Sequence, residues 1–272
     1  MRKSELEGKP LIVSESIGNE YGKVIKATIK LLHRDLMQGI DRIYITYAQD
    51  NDSSDQKGNG ISQLKILFNK LLRKYTPIFS FLAKNATERM INRVLKNSSS
   101  TLKLSLRDIS QDLAIKTDFM TEKLNSITKA VTIESVSLIK TIPSQYLNEV
   151  QSIVMNSITT GKGFHDLKKS LDRYYGKNAR KAELVALDQT RKAYRNIQAE
   201  KLKKLGVRKF KWLHTGGSNE PRKLHMDLNG KVFSFDNPPY IGEMYGEKVY
   251  GLPGQLPNCR CSMKPVIDFE DE

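Results

Sequence analysis

Long apolar runs are the first thing this 272-residue sequence lacks. No uninterrupted apolar stretch approaches the ~18 residues that a membrane-spanning helix needs, so the sequence predicts a protein that does not cross a bilayer. The N-terminal apolar patch, residues 11–13, is too short for the apolar core of a secretory signal. We therefore expect the chain to be made in a cytoplasm.

Cysteine is almost as scarce, since Cys259 and Cys261 are the only two and a single residue separates them. Secreted disulfide scaffolds need several well-spaced pairs, so both thiols are expected to be reduced. A phosphate-binding loop is missing too. The sequence around Lys162, TTGKG, does not fit the G-x-x-x-x-G-K-[ST] pattern, which argues against a P-loop nucleotide hydrolase.

Positive charge is abundant, with 45 Lys and Arg residues against 30 Asp and Glu residues and a net charge of +15. Such an excess makes a polyanion the first partner to consider. It is concentrated in residues 161–210, which hold 15 basic and 5 acidic residues. The pattern there predicts a long basic helix over residues 178–206, capped by Asn178 and closed by Gly206 in the left-handed conformation.

A basic ridge is expected along this helix. Helical spacing brings most of its members to one side, and the lysines of the last turn extend it. Such a ridge would bind DNA phosphates without reading the base sequence. A solvated or protein-facing side fits the same pattern. The ridge consists of Arg180, Lys181, Arg191, Lys192, Arg195, Lys203 and Lys204.

Helical periodicity dominates the chain before residue 207, with apolar residues at three- and four-residue steps. Three breaks are predicted in it. Residues 48–60 are polar and glycine-rich and predict a mobile loop; Pro77 predicts a kink or break near residues 74–76; and residues 96–101, KNSSST, predict a connector. The conformation of residues 102–116 is left open, and a short helix is expected over residues 164–175.

After Gly206 the composition favours strands, at residues 207–215 and 231–235, among proline- and glycine-rich loops. The fold class expected is α+β, mainly α-helical, with a small loop-rich C-terminal subdomain that contains the strands. Three regions follow from these boundaries: a helical region over 1–115, a second helical region over 116–206, and the small subdomain over 207–272.

The sharpest chemical hypothesis is a zinc site formed by Cys259, Cys261 and His225, with His214 or Asp227 as fourth ligand. The C-x-C spacing differs from the usual C-x₂₋₄-C doublets. Alternatively the thiols pack as small apolar groups, or one of them is a nucleophile with His225 as base. No third orienting residue is evident, so we expect no catalytic residues and, zinc apart, no cofactor.

The order of residues in the last third resembles the Mu F-like minor head proteins of tailed phages, also called the phage head morphogenesis family. The resemblance covers about residues 140–265, including the Asp188-Gln189-Thr190 segment, Asn196 and Gly206. One departure is residues 216–220, where many relatives have an Asp before the Arg-x-x-His. The motif residues are Trp212, Arg222, His225, Gly230, Asn258, Cys259, Arg260 and Cys261.

The resemblance implies a minor capsid protein incorporated in few copies during procapsid assembly in the bacterial cytoplasm. It implies partners among the portal, scaffold and major capsid proteins, a place in the head interior, and ejection with the genome. Double-stranded DNA is the partner that the charge predicts. The competing hypotheses are a zinc-dependent or thiol hydrolase that uses Cys259, Cys261 and His225, and a DNA-binding protein unrelated to phage heads.

Overall fold

The protein is mainly helical with a small antiparallel β region near its C-terminus, which confirms the expected fold class. The computed structural model describes residues 5–49, 56–160, 164–216 and 221–268. In chain order the elements are β1 (Glu5–Glu7), α1 (Glu15–Gln49), α2 (Gln56–Leu106), α3 (Gln111–Ile115), α4 (Glu122–Lys140), α5 (Ile142–Thr159), α6 (Phe164–Lys204), β2 (Lys209–Leu213), α7 (Lys223–Asp227), β3 (Val232–Ser234), β4 (Tyr240–Met244), β5 (Glu247–Tyr250) and β6 (Ser262–Asp268).

The chain divides into two compact units. One unit comprises residues 1–19, 88–132 and 186–272, and the other comprises residues 20–87 and 133–185. Whether the regions 1–115, 116–206 and 207–272 fold separately stays a prediction. No helix in the described part of the chain combines the length and the apolarity needed to cross a membrane.

In the unit of residues 20–87 and 133–185, the secondary structure of the described residues is helical. On α1 the fully buried residues recur at three- and four-residue steps, which places one apolar stripe in the core. Gly39 lets α1 and α2 approach closely, because a Cβ there would collide with the side chain of Leu67. The buried stripe is Ile25, Ile29, Leu32, Leu36 and Ile40.

His33 is a buried polar residue of this unit whose two ring nitrogens are both paired. His33 binds the carboxylate of Asp172 through Nε2 at 3.0 Å and the hydroxyl of Tyr146 through Nδ1 at 2.8 Å, and its ring stacks on Tyr175. A buried imidazole with both nitrogens satisfied is a structural histidine. His165, by contrast, is exposed.

The other unit contains a four-stranded antiparallel sheet in the order β1-β6-β2-β3. Along β2 burial alternates, so that Phe210 and Trp212 point into the core while their neighbours are partly exposed. The expected strands at residues 207–215 and 231–235 correspond to β2 and β3. Strands β1 and β6 were not predicted, because each is too short or too interrupted by proline to show alternation.

A separate hairpin, β4–β5, lies in the sequence expected to be loops. Its two-residue turn, Tyr245-Gly246, has φ angles of 56° and 83°, and Met244 pairs with Glu247 across it. Positive φ at both central residues gives the turn a twist that suits antiparallel strands. Tyrosine at the first position concealed the signal, since asparagine, aspartate or glycine is usual there.

Helix α2 passes through Pro77 without a break, so the predicted break is wrong, while the alternative of a kink stays a prediction. Proline removes one backbone hydrogen bond, but Tyr75 and Phe79 on either side are 2% and 0% exposed. Their packing holds the helix together across the lost bond. The nearby Thr76 hydroxyl also donates to the Leu72 carbonyl at 2.7 Å.

The predicted connector at residues 96–101 is also helical. Ser99, Ser100 and Thr101 each donate a side-chain hydroxyl to the carbonyl four residues earlier. The polar run faces α6, where the Gln198 amide donates to the Ser98 carbonyl at 3.1 Å. The predicted connector is therefore wrong, because these polar residues form an interface between two helices.

The basic helix begins earlier than predicted. Helix α6 runs from Phe164 without a break through residue 178, so the short helix over residues 164–175 and the cap at Asn178 are both wrong. Asn178 donates its side-chain amide to the Tyr174 carbonyl at 3.0 Å, a bond inside the helix. Gly206 takes the predicted left-handed conformation, with φ of 83°.

The loop predicted over residues 48–60 is wrong at both of its ends. Residues 48–49 end α1 and residues 56–60 begin α2. The intervening residues 50–55 lie outside the described part of the chain. Pro143 lies at the start of α5, where proline is tolerated because the N–H it lacks would have no helical partner.

Candidate metal centre

Cys259, Cys261 and His225 come together in the core of the C-terminal region. The thiols precede β6, and His225 lies on the short helix α7. One potential ligand atom from each lies within 4.8 Å of the others, and all three residues are buried. The His225 Nδ1 atom is 3.4 Å from the Cys259 Sγ atom and 3.8 Å from the Cys261 Sγ atom.

The orientation of His225 is fixed by a bond on the far side of its ring. The Nε2 atom lies 2.9 Å from the carbonyl oxygen of Ile241 on β4. A carbonyl can only accept, so Nε2 carries the proton and donates. In the neutral ring Nδ1 then presents its lone pair to the two thiols.

The pKa values of the two thiols are shifted in opposite directions. Hydrogen bonds from Cys261 and with His225 hold the pKa of the Cys259 thiol well below its ordinary value, although burial acts the other way. The bond with Cys259, together with burial, raises the pKa of Cys261. Its hydrogen bond with Cys259 also raises the pKa of His225. The cluster therefore favours one thiolate, the form that attacks electrophiles and binds metals.

Trp212 closes one side of the cluster. It is fully buried, and its ring packs edge-on against His225 with 5.3 Å between centroids. Its indole N–H makes no hydrogen bond of ordinary geometry within the described residues. The same N–H lies near enough to Cys261 to favour the thiolate form of that residue.

The turn that carries the thiols is held by helix α6. Both carboxylate oxygens of Asp188 accept from the backbone N–H of Asn258 at 3.0 Å. Asn258 has φ of 60°, a conformation that non-glycine residues seldom adopt. Burial raises the pKa of Asp188. The bidentate acceptor stabilises a backbone that would otherwise be strained.

Three further side chains bind carbonyl groups of this turn. Arg222 donates to Pro257 at 2.9 Å and Thr215 donates to Arg260 at 2.6 Å. Arg195 donates to Cys261 at 3.2 Å and also to Leu11. Arg195 is 3% exposed, and burial lowers its pKa. The position of the thiols is therefore fixed by contacts from three directions.

His214 lies at the open side of the cluster. Its Nδ1 atom is 3.5 Å from the Cys261 Sγ atom, and its backbone N–H is held by Asn229 at 2.9 Å. Asp227, the other fourth ligand considered from the sequence, is exposed and lies outside the group formed by His225, Cys259 and Cys261. His214 is thus the better placed of the two.

A cavity of about 30 Å³ lies among these side chains and is lined by His214, Arg222, His225, Cys259 and Cys261. A single water occupies about this much space in the liquid. The cavity therefore accommodates an ion or a water molecule and is much smaller than a typical pocket for an organic substrate.

The motif residues thus occupy one neighbourhood. Gly230 has φ of 78°, a backbone conformation that would be strained in a residue with a side chain. Its N–H donates to the Trp212 carbonyl at 2.9 Å. Sequence reasoning did not assign a role to Asp188 or Thr215. No spacing rule links a helix residue to a turn 70 positions away, so their part in holding the turn becomes visible only in three dimensions.

The basic ridge is not a continuous exposed surface. Arg191 and Arg195 are 8% and 3% exposed. Arg191 binds Glu15 at 3.0 Å, whereas Arg195 binds the carbonyl groups described above. Both guanidinium groups are buried and paired, which argues against their contacting a phosphate, but their place in the predicted DNA-binding set is not tested. Lys201, at the same end of the helix, is buried against Ser99 and Thr117.

The other five residues of the ridge differ in their exposure and in their ion pairs. Arg180, Lys181 and Lys204 are exposed. Lys192 is half-buried, and Lys203 is paired with Asp236 at 2.8 Å. DNA binding by these residues stays a prediction, and the exposed three are its best remaining candidates.

Comparison with known proteins finds a family model that matches part of the chain. Residues 148–264 match the family model described as phage Mu protein F like protein. A protein of Haemophilus influenzae described as uncharacterized is 25% identical over 270 residues, covering 97% of this chain and 56% of its own length. Bacillus subtilis YqbB, likewise described as uncharacterized, is 28% identical over 126 residues, covering 44% of this chain and 41% of its own length.

The chain thus spans about half the length of these relatives. No solved structure matches the chain significantly. The matched family segment starts within α5 and ends within β6, and it contains every residue of the thiol and imidazole cluster.

Proposed function

Residues 148–264 form a phage Mu F-like region, and from this we propose that the chain is a minor structural protein of a tailed-phage head. It joins the procapsid during assembly in few copies, next to the portal, and lies inside the head. The family match is the observation that carries the proposal. One relative aligns with 97% of this chain. This supports including the chain's helical N-terminal half in the proposed head protein.

The proposal includes contact with packaged DNA and departure with it at ejection. The net charge of +15 supports this contact, because a basic surface lowers the repulsion between protein and densely packed phosphates. Arg180, Lys181 and Lys204 supply exposed charge on α6. A surface of this kind binds phosphates and does not discriminate between base sequences.

A second candidate, a thiol hydrolase, is favoured by the 3.4 Å approach of His225 Nδ1 to Cys259 Sγ. A thiol beside an imidazole is the arrangement that nucleophilic catalysis requires. The burial of both residues and the small cavity of about 30 Å³ argue against it, because an organic substrate usually occupies a much larger pocket. The structural role is therefore the better supported of the two.

Quantitative mass spectrometry of purified procapsids and mature particles tests the proposal. We expect the chain in both, at a copy number well below that of the major capsid protein. Crosslinking in procapsids is expected to join it to the portal protein. Absence of the chain from every particle form would overturn the proposal.

A competition gel-shift tests the DNA contact. Duplexes of equal length and unrelated sequence should compete equally for the purified chain, and retention should fall steeply with added salt. A strong preference for one sequence would contradict binding through phosphates. Hydrolysis of ester or peptide substrates that disappears in Cys259→Ala would instead favour the hydrolase.

A further inference from the structure

We propose that Cys259, Cys261, His225 and His214 bind one zinc ion that stabilises the C-terminal region. In a tetrahedral zinc site Zn–S is ~2.3 Å and Zn–N is ~2.0–2.1 Å, which places a sulfur and a nitrogen ligand about 3.6 Å apart. The His225 Nδ1 atom lies 3.4 Å from the Cys259 Sγ atom and 3.8 Å from the Cys261 Sγ atom, and the His214 Nδ1 atom lies 3.5 Å from the Cys261 Sγ atom. Cys259, Cys261 and His225 thus already hold about the spacing that the ion requires.

Histidine orientation supports the same inference. A zinc-bound histidine usually donates its other ring N–H to a carbonyl or carboxylate, which fixes the tautomer that binds the metal. His225 donates Nε2–H to the Ile241 carbonyl at 2.9 Å and turns Nδ1 toward both thiols. A histidine that served only to fill the core would not need its second nitrogen aimed at two sulfur atoms.

The indole of Trp212 is a second and independent observation. Its N–H is fully buried and makes no hydrogen bond of ordinary geometry within the described residues, an arrangement that costs stability. A metal-bound thiolate at Cys261 would be a stronger acceptor for that N–H than a neutral thiol.

The turn around the thiols is organised before any ion arrives. Asp188 holds the N–H of Asn258, and Arg195 and Thr215 hold the carbonyl groups of Cys261 and Arg260. A site whose ligands are already ordered loses little conformational entropy on binding. The cavity of about 30 Å³ among the ligands has room for the ion but not for an organic substrate, which suits a structural site with four protein ligands.

His214 completes the set. It is partly exposed, and its Nδ1 atom approaches Cys261 but does not belong to the compact group formed by the other three. To bind the ion as the fourth ligand, the His214 imidazole therefore moves closer to the other three side chains. Asp227 is exposed and lies outside the group formed by His225, Cys259 and Cys261, so it is the weaker candidate for the fourth ligand.

Metal analysis of the full chain, purified under reducing conditions without chelators, tests the proposal. We expect about one zinc per chain in the wild type and in His165→Ala, whose exposed imidazole serves as the matched control. Cys259→Ser, Cys261→Ser and His225→Ala should each lose the metal. Far-ultraviolet circular dichroism checks that each variant remains helical.

Cobalt substitution keeps the test independent of variant folding, because it uses the wild-type chain. Co²⁺ bound by two thiolates in a tetrahedral site gives sulfur-to-cobalt charge-transfer bands and intense visible bands. If zinc is absent after reconstitution and cobalt gives no such bands, the proposal is overturned and the thiols are ordinary core groups. Zinc content equal in wild type and Cys259→Ser would overturn the assigned ligands.

His214 has a separate readout. His214→Ala should raise the dissociation constant for zinc at least ~10-fold, as measured by competition with a chromogenic chelator. An unchanged constant would overturn its place as the fourth ligand. None of these outcomes depends on whether the chain is found in phage particles.

Discussion

Arg195 illustrates how charge alone misleads at the scale of one residue. Its position in a run of basic side chains predicted a phosphate contact, but the guanidinium is buried and binds the carbonyl groups of Leu11 and Cys261. Nothing in the spacing separates it from exposed Arg180. The distinction depends on the N-terminal segment and on the turn before β6, which a helical projection of α6 does not include.

Arg195→Gln should destabilise the protein by about 2–4 kcal/mol, because a shorter neutral side chain leaves buried carbonyl groups unsatisfied. Urea denaturation followed by circular dichroism measures this difference. Arg180→Gln, which changes the same charge at an exposed position, should change stability by less than ~0.5 kcal/mol. Equal effects of the two substitutions would contradict a structural role for Arg195.

At the scale of elements, helices were easier to predict than their limits. Apolar periodicity predicted most of α1, α2, α4 and α5. The sequence suggested helix boundaries at two places where the helices in fact continue. One is the polar run at residues 96–101, and the other is the glycine and asparagine at residues 176 and 178. In both places polar side chains bond to their own helix or to a neighbouring one. Such compensation depends on tertiary packing, which local composition does not report.

The pairing of α1 with α2 should depend on pH through Asp35. The carboxylate accepts from Lys74 at 2.6 Å and from Tyr75 at 2.8 Å. Burial raises the pKa of Asp35, but these two bonds, together with the positive charges of Lys74 and Arg34, outweigh it, so that the folded-state pKa lies below the ordinary 3.8. The stabilisation is therefore complete above the unfolded-state pKa and is lost as the pH falls through the folded value.

Asp35→Asn should accordingly cost roughly 1–3 kcal/mol at neutral pH, and the difference from wild type should narrow as the pH approaches about 3.5. Urea titrations at both pH values measure the two differences. Glu149→Gln, at an exposed carboxylate of α5, is the control and should show a small effect at each pH. A cost that does not narrow in acid would show that the ionised carboxylate is not the stabilising group.

At the scale of the whole molecule, net charge is the property that the sequence conveys without error. How that charge is distributed over accessible surface is what folding decides. Of the seven ridge residues, Arg180, Lys181 and Lys204 are exposed, whereas Arg191 and Arg195 are internal. The thiol and imidazole cluster was predicted in composition, but its geometry required the fold to bring residue 225 to residues 259 and 261.

Replacing Arg180, Lys181 and Lys204 together with glutamine should reduce the slope of log affinity against log salt by up to about 3, since each phosphate contact contributes ~0.9. Gel-shift titrations in a salt series measure the slope. The control replaces Lys23, Lys30 and Lys70, which are exposed elsewhere, and removes the same charge. Equal losses in both triple variants would assign the affinity to overall charge and not to α6.

The tip of the β4–β5 hairpin is a suitable position for attaching a fluorescent label. Tyr245 is 97% exposed, whereas both native thiols are almost inaccessible. A maleimide dye should therefore react with the substitution Tyr245→Cys well before it reaches Cys259 or Cys261. If the chain is the head protein proposed above, fluorescence from that single label would report its incorporation into assembling particles and its release from them.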